Sequence, residues 1–266
     1  MNKIEQSISE LYEIDDLAAG NSMIHRRSAG AKLAVTVLYI LLVMSFHKYD
    51  LPGLVPMVFY PVILFQLSGI PVSLCFKKLR YVLPVVCAVG IVNPFLDRTP
   101  VLYLGGAAVT GGMISFLTLL LKGVFCLQAS FLLISTTRIE EICAALRKIR
   151  VPSLFVTLLL LTYRYVTVMA EEVLVMTQAY SLRAPGQKGI HYSAWGSFLG
   201  KLLIRSRDRA QELYSAMLLR GYRGEFPHAQ SAAGGFPDVA YTLVWTAFLL
   251  FLRYVDLSTL AGGLLI

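Results

Sequence analysis

Charge is what this sequence has least of: only 15% of its 266 residues are Asp, Glu, Lys or Arg, against about 25% in soluble domains. With 56% hydrophobic residues and a mean hydropathy of +0.65, that shortage excludes a soluble globular chain and points to a polytopic membrane protein. Cysteines are few as well. Cys75, Cys87, Cys126 and Cys143 lie far apart in apolar or amphipathic runs without CxxC spacing, so they read as buried free thiols. His25, His47, His191 and His228 lack ligand spacing and sit in loops or flanks, which argues against a metal site built by this chain. No Gly-Lys-Ser/Thr follows the glycine-rich stretch at 104–112, no Ser-His-Asp pattern stands out, and no apolar run carries paired carboxylates. These gaps remove nucleotide binding, nucleophilic catalysis and a proton relay, leaving a non-catalytic chain without a cofactor of its own. The absence of two matching halves with broken helices weighs against a self-contained carrier. The net charge of +8 is, in so apolar a chain, a topology signal and not a sign of nucleic-acid binding. The polar, acidic start has no positive segment, short apolar core and cleavage site, so the N-terminus is expected to stay on the protein.

What is present is a series of apolar runs. Leu33–Phe46 and the uncharged Leu51–Phe76 are expected to cross the bilayer around an outer turn at 47–50. Lys77-Lys78-Leu79-Arg80 is expected as an inner basic loop, Tyr81–Leu96 as the third span and Gly112–Ser135 as the fourth. Between these two, the glycines of 104–112 suit turns and close helix contacts. Lys122 falls near the middle of the fourth span, where a cation is costly, and is expected to pair inside the bundle. Arg138–Arg150 reads as an amphipathic helix with Glu140 and Glu141 leading and Arg147, Lys148 and Arg150 following, the order the helix dipole favours. Pro152–Ala170 is long enough to cross, but crossing would place the basic segments before and after it on opposite faces. A half-buried helix emerging at Glu171-Glu172 fits that distribution better. Arg164, Glu171 and Glu172, about two turns apart along one face, are expected to fix this helix to its neighbours. Residues 223–237 read as a linker, and a last span begins at Val239. The organisation is then a membrane bundle with four spans over 1–137, a cytoplasmic coupling region over 138–224, and a linker with a C-terminal transmembrane helix over 225–266.

The chain is organised around Met176–Gly224. It is too charged to cross a bilayer, and 13 of the 24 lysines and arginines lie between 138 and 228. Leu199, Leu202, Leu203, Ala210, Leu213, Ala216, Met217 and Leu219 give a helix one apolar face, with Lys201, Arg205, Arg207 and Arg209 largely elsewhere. Two arginines end helical runs, each followed by a breaker: Arg183 before Ala184-Pro185-Gly186, and Arg220 before Gly221. A guanidinium at a helix end, with glycine letting another backbone come close, suits docking into an acidic or carbonyl-lined groove on a partner. The alternative is a pair of basic amphipathic helices lying on anionic lipid. Between the arginines, Gly196 and Gly200 have the spacing that lets two helices cross closely.

The segments TTRIEEICAALRKIRVP, TYRYVTVMAEE and WGSFLGKLLIRSRDRAQELYSAMLLRGYRG closely resemble the T component of energy-coupling-factor (ECF) transporters, specifically the CbiQ type of cobalt uptake systems. The resemblance implies an all-α integral membrane protein, an L-shaped bundle of about five transmembrane helices with long cytoplasmic coupling helices. It implies that Leu182-Arg183-Ala184 and Leu219-Arg220-Gly221 match the two Ala-Arg-Gly motifs that the family inserts into its ATPases. Both lack the leading alanine, and the first has Pro185-Gly186 after it in place of the motif's glycine. The implied partners are an ABC-type ATPase dimer, which binds the ATP, and a substrate-binding membrane subunit of the S or CbiM-like kind. The implied place is the plasma membrane, with the N-terminus and coupling region cytoplasmic. Cobalt follows from the CbiQ type alone, and nickel or a vitamin are the alternatives.

Overall fold

The computed structural model describes residues 3–96, 100–104, 107–187, 189–224 and 235–254. Among these the chain is helical apart from one β-ribbon. It forms two compact units, Leu17–Arg138 with Ala232–Ile266, and Met1–Asp16 with Ile139–Ser231.

In the first of these units, α2 (Ala29–Ser45) begins where the Ser28 hydroxyl accepts the Ala31 N–H, which satisfies one of the donors a helix start leaves open. Asp50 caps α3 (Leu51–Leu54) in the same way, and a 3-10 turn at Val55–Val58 leads into α4 (Phe59–Ser68). Gly69, at φ 69°, closes α4 with its N–H on the Phe65 carbonyl at 3.1 Å. The span read over Leu51–Phe76 therefore stops at Ser68, because the left-handed Gly69 ends one helix and Pro71 starts the next, α5 (Val72–Gly90).

Lys77-Lys78-Leu79-Arg80 is a second correction, for it lies inside α5 and is not a loop. Lys, Leu and Arg are good helix formers, and Cys75 and Leu79, one turn apart, are buried while Lys77 and Arg80 stay exposed. The third span read over Tyr81–Leu96 is thereby divided: its first part completes α5 and its end forms α6 (Asn93–Leu96). Where turns were expected after it, β1 (Pro100–Leu104) pairs antiparallel with β2 (Ala107–Thr110). Between α6 and α7, residues 97–99 and 105–106 lie outside the described residues.

The ribbon leads into α7 (Gly111–Thr136), and α11 (Phe236–Tyr254) completes the unit. Tyr39 stacks on Tyr60 at 4.2 Å, Tyr60 meets the edge of Trp245 at 5.0 Å, and the Tyr39 hydroxyl donates to the Met57 carbonyl at 3.0 Å. Around these rings Val35, Val43, Leu54, Leu64, Phe125, Ala129 and Leu249 form the buried core. The Ser28 N–H also donates to Asp238 Oδ1 at 3.2 Å, tying the start of α2 to that of α11. Helices α5 and α7 approach at glycines: a Cβ on Gly90 would stand 2.7 Å from Phe116, and one on Gly123 3.2 Å from Val86. Gly90→Val is expected to push the two helices apart at a cost of about 1–3 kcal/mol, measured as a lower midpoint of thermal unfolding.

The other unit consists of α1 (Lys3–Ala18) through Asp16, α8 (Ile139–Lys148), α9 (Ser153–Arg183), and α10 (Trp195–Leu219). Pro152, at φ −53° and ψ 137°, starts α9, and the helix passes Glu171 and Glu172 without a break. Of the linker read over 223–237, residues 225–234 lie outside the described residues, as does the continuation of the last span from 255 to 266.

Among the described residues, four helical segments can cross a membrane by length and composition: Leu51–Ser68, Gly111–Thr136, Ser153–Arg183 and Phe236–Tyr254. The apolar α2, of 17 residues, is just shorter. The chain is an all-α membrane protein that carries one small β-ribbon.

Candidate functional site

Arg183 is the last residue of α9. Pro185 keeps Ala184 out of helical backbone; Ala184 sits at φ −125° with its N–H on the Tyr180 carbonyl at 3.1 Å. Gly186, at φ 93°, then turns the chain. One tyrosine holds this turn: the Tyr180 hydroxyl donates to Gln187 Oε1 at 3.0 Å and accepts the His191 N–H at 3.3 Å. Leu182, beside the arginine, is 82% exposed.

Arg220 caps α10. Gly221 follows at φ 80°, its N–H on the Leu218 carbonyl at 2.9 Å, and the Tyr222 N–H reaches the Met217 carbonyl at 3.0 Å. This pair of bonds is the Schellman arrangement, which requires a left-handed residue after the cap and so explains glycine at 221. Leu219 is 90% exposed. Both arginines thus stand at sharply ended helices beside exposed leucines. Glycine meets a backbone demand at 221, whereas at the first end the turn relies on Pro185, Gly186 and Tyr180.

The other singled-out residues are distributed among different contacts. Glu172 forms an ion pair with Arg205, which joins α9 to α10. Glu171 accepts a hydrogen bond from the Tyr12 hydroxyl at 3.1 Å, and the Tyr163 hydroxyl donates to Asp15, so α1 is held along α9. The hydrogen bond to Glu171 and the charge of that carboxylate raise the Tyr12 phenol above its ordinary pKa. Burial does the same for the Cys143 thiol on α8, keeping it an inert neutral thiol. Arg164 makes neither of these contacts and instead lines a groove with the second half of α10. The crossing expected at Gly196 and Gly200 is not present among the described residues: a Cβ added at either would meet nothing within 4 Å. What links α10 to α9 there is charge, at Glu172 and Arg205. Part of the apolar face of α10 stays open, with Leu199 and Leu203 exposed.

In the membrane unit, Lys122 Nζ donates to the carbonyls of Phe46 at 2.6 Å and Met44 at 3.4 Å, at the C-terminal end of α2. Lys32, by its charge part of the basic flank before the first span, does the reciprocal: its Nζ donates to the carbonyl of Thr136, the last residue of α7, at 2.6 Å. The sequence reading missed Tyr12 and Asp15, which stand one turn apart on α1 and were visible there as a polar pair. No group of three or more His, Cys, Asp or Glu that could hold a metal occurs among the described residues.

These features define a helical membrane protein that presents two arginine-ended helices. The sequence profile of the CbiQ family, described as cobalt transport protein, matches residues 20–231, and the chain belongs to that family. It is 27% identical over 192 residues to an uncharacterized protein of Methanocaldococcus jannaschii, covering 68% of this chain and 65% of that protein. It is 27% identical over 225 residues to the energy-coupling factor transporter transmembrane protein EcfT of Ruminiclostridium cellulolyticum, covering 79% of this chain and 84% of that one. It is 29% identical over 91 residues to the nickel permease LarQ of Lactiplantibacillus plantarum, covering 34% and 33%. The match thus spans just under two thirds of the first relative and a third of the last.

Proposed function

We propose that this chain is the T component of an ECF importer. It couples ATP hydrolysis by separate ABC-type ATPase subunits to a substrate-binding membrane subunit, and is itself neither ATPase nor metal binder. The observation that carries this reading is the pair Arg183 and Arg220, each at the exposed, sharply ended terminus of a long helix, in a CbiQ-family chain. A guanidinium offers a rigid fork of donors suited to carboxylates and carbonyls. Two of them on two helices allow each ATPase subunit to grip one. When ATP draws the ATPases together, the grips move, and the Glu172–Arg205 pair passes the displacement between α9 and α10. The open apolar face of α10 at Leu199 and Leu203 offers the substrate-binding subunit a surface to follow. Cobalt is the proposed cargo, from the family description. Nickel is the second reading, favoured by the match to a nickel permease; uptake of labelled cobalt against labelled nickel by the whole complex separates them.

The proposed topology has 1–28, 77–80 and 138–228 facing the cytoplasm, with 152–170 half-buried in the membrane, and 47–50 and 97–110 facing outside, with 1–137 as the membrane bundle and 138–224 as the coupling region. It is tested with Gln211→Cys, an exposed α10 position, in a background lacking the four native cysteines. Impermeant thiol reagents are expected to label it in inverted vesicles and to leave it unmodified in intact cells. The role is tested by affinity purification from native membranes, where an ABC-type ATPase is expected to accompany the chain. Recovery of the chain alone under conditions that preserve membrane complexes would refute it.

A further inference from the structure

We propose that the groove between α9 and the second half of α10 is a binding site for the headgroup of an acidic phospholipid. The groove has a volume of about 600 Å³ and is lined by Arg164 and Tyr165 of α9, Arg209 and Glu212 of α10, and Arg220 and Tyr222 at the α10 cap. Arg209, Leu213, Met217 and Arg220 recur at helical spacing, so two guanidiniums and two apolar side chains share one face of α10. Arg164 supplies a third guanidinium from the opposite wall. Against three cations stands one carboxylate: Glu212 Oε2 lies 3.9 Å from Arg209 Nη1, with a side chain 73% exposed. The site is therefore complementary to an anion rich in acceptor oxygens, and a phosphate diester fits guanidinium forks.

The source of that phosphate follows from what adjoins the groove. Arg164 is the first charge in α9, after the wholly uncharged Ser153–Tyr163, and tyrosines at 163 and 165 flank it, the composition of a membrane–water boundary. Leu154, Leu158, Leu161 and Tyr165 share one face of α9. Leu161 and Tyr165 line the groove, and Leu154 and Leu158, 62% and 51% exposed, continue that face away from it. An acyl chain running along this leucine track would have its phosphate between Arg164 and Arg209. A free phosphate or an acidic peptide would leave the track unused. The volume suits a glycerophosphate headgroup and not a whole lipid. A lipid seated there would neutralise Arg164 and Arg209 and fix the second half of α10 on α9. The inference does not rest on the coupling role proposed above.

The test is native mass spectrometry of the purified full chain titrated with phosphatidylglycerol or with phosphatidylcholine of the same acyl chains. Phosphatidylglycerol is expected to bind at least tenfold more tightly. Arg164→Gln combined with Arg209→Gln should remove that preference, while Glu212→Gln, at an exposed position, should strengthen phosphatidylglycerol binding. Equal retention of the two lipids, an unchanged preference in the double variant, or weaker binding in Glu212→Gln would overturn the proposal. Displacement of phosphatidylglycerol by inorganic phosphate alone would assign the groove to free phosphate and overturn it equally.

Discussion

Arg220→Ala is expected to weaken the hold of this chain on the ATPase subunits proposed as its partners by about 30-fold or more. Truncating one member of a desolvated charged interface pair costs about 2–5 kcal/mol, because the other member is left buried and unpaired. The substitution leaves the fold intact: Arg220 is exposed, and the cap it belongs to is held by backbone bonds from Gly221 and Tyr222, not by its side chain. Arg183→Ala should act in the same direction with a smaller effect, because at 220 the left-handed Gly221 has no side chain and lets a partner backbone come close. Lysine at either position should rescue only in part, since an ammonium cannot reproduce a two-pronged contact. Affinities measured by surface plasmon resonance between the ATPase subunits and the chain in nanodiscs check all of this. Wild-type affinity in both alanine variants would sink the docking role of these arginines.

A second large effect is expected in the membrane unit. The end of a helix leaves its last carbonyls without partners, and in a bilayer no water replaces them. Lys122 supplies that donor for α2 and Lys32 for α7, so two antiparallel helices each carry the cation that closes the other. Such a cation also suits the negative end of the helix dipole. Methionine keeps most of the stem volume and removes the donor. Each of Lys32→Met and Lys122→Met is expected to cost about 1–3 kcal/mol, a fall of roughly 5 °C in Tm for a chain of this size. The two caps sit at opposite ends of the helix pair, so the effects should add in the double variant. Thermal unfolding of the purified chain measures this. If Lys122→Met left Tm unchanged but abolished transport by the full complex, Lys122 would belong to the transport path and not to the helix pair.

The long elements were legible because their signals are local. The apolar runs gave α7 and α11 to within a few residues, and the breakers after Arg183 and Arg220 located two helix ends whose geometry then explained Gly221. Local charge misled at Lys77–Arg80: a cluster of cations reads as a loop in a membrane protein, yet lysine and arginine favour helix and needed only Cys75 and Leu79 to give α5 a buried side. Gly69 and Pro71, inside an apolar run, were outweighed by its hydrophobicity. The reciprocal lysine caps and the arginine-lined groove depend on the register between helices distant in sequence, which one helical period cannot convey. The same holds for the α1 contacts at Tyr12 and Asp15. Gly196 and Gly200 show the converse, a spacing that permits a crossing where, among the described residues, no side chain or backbone comes within 4 Å of an added Cβ.

The most direct test of the transducer role is ATP-dependent metal uptake by proteoliposomes assembled from the ATPase subunits and the substrate-binding membrane subunit, with and without this chain. Uptake is predicted only when the chain is present, and it should fail, with ATP hydrolysis no longer tied to transport, when the chain carries Arg183→Ala and Arg220→Ala together. Equal uptake without the chain, or uptake by the chain alone, would contradict the account.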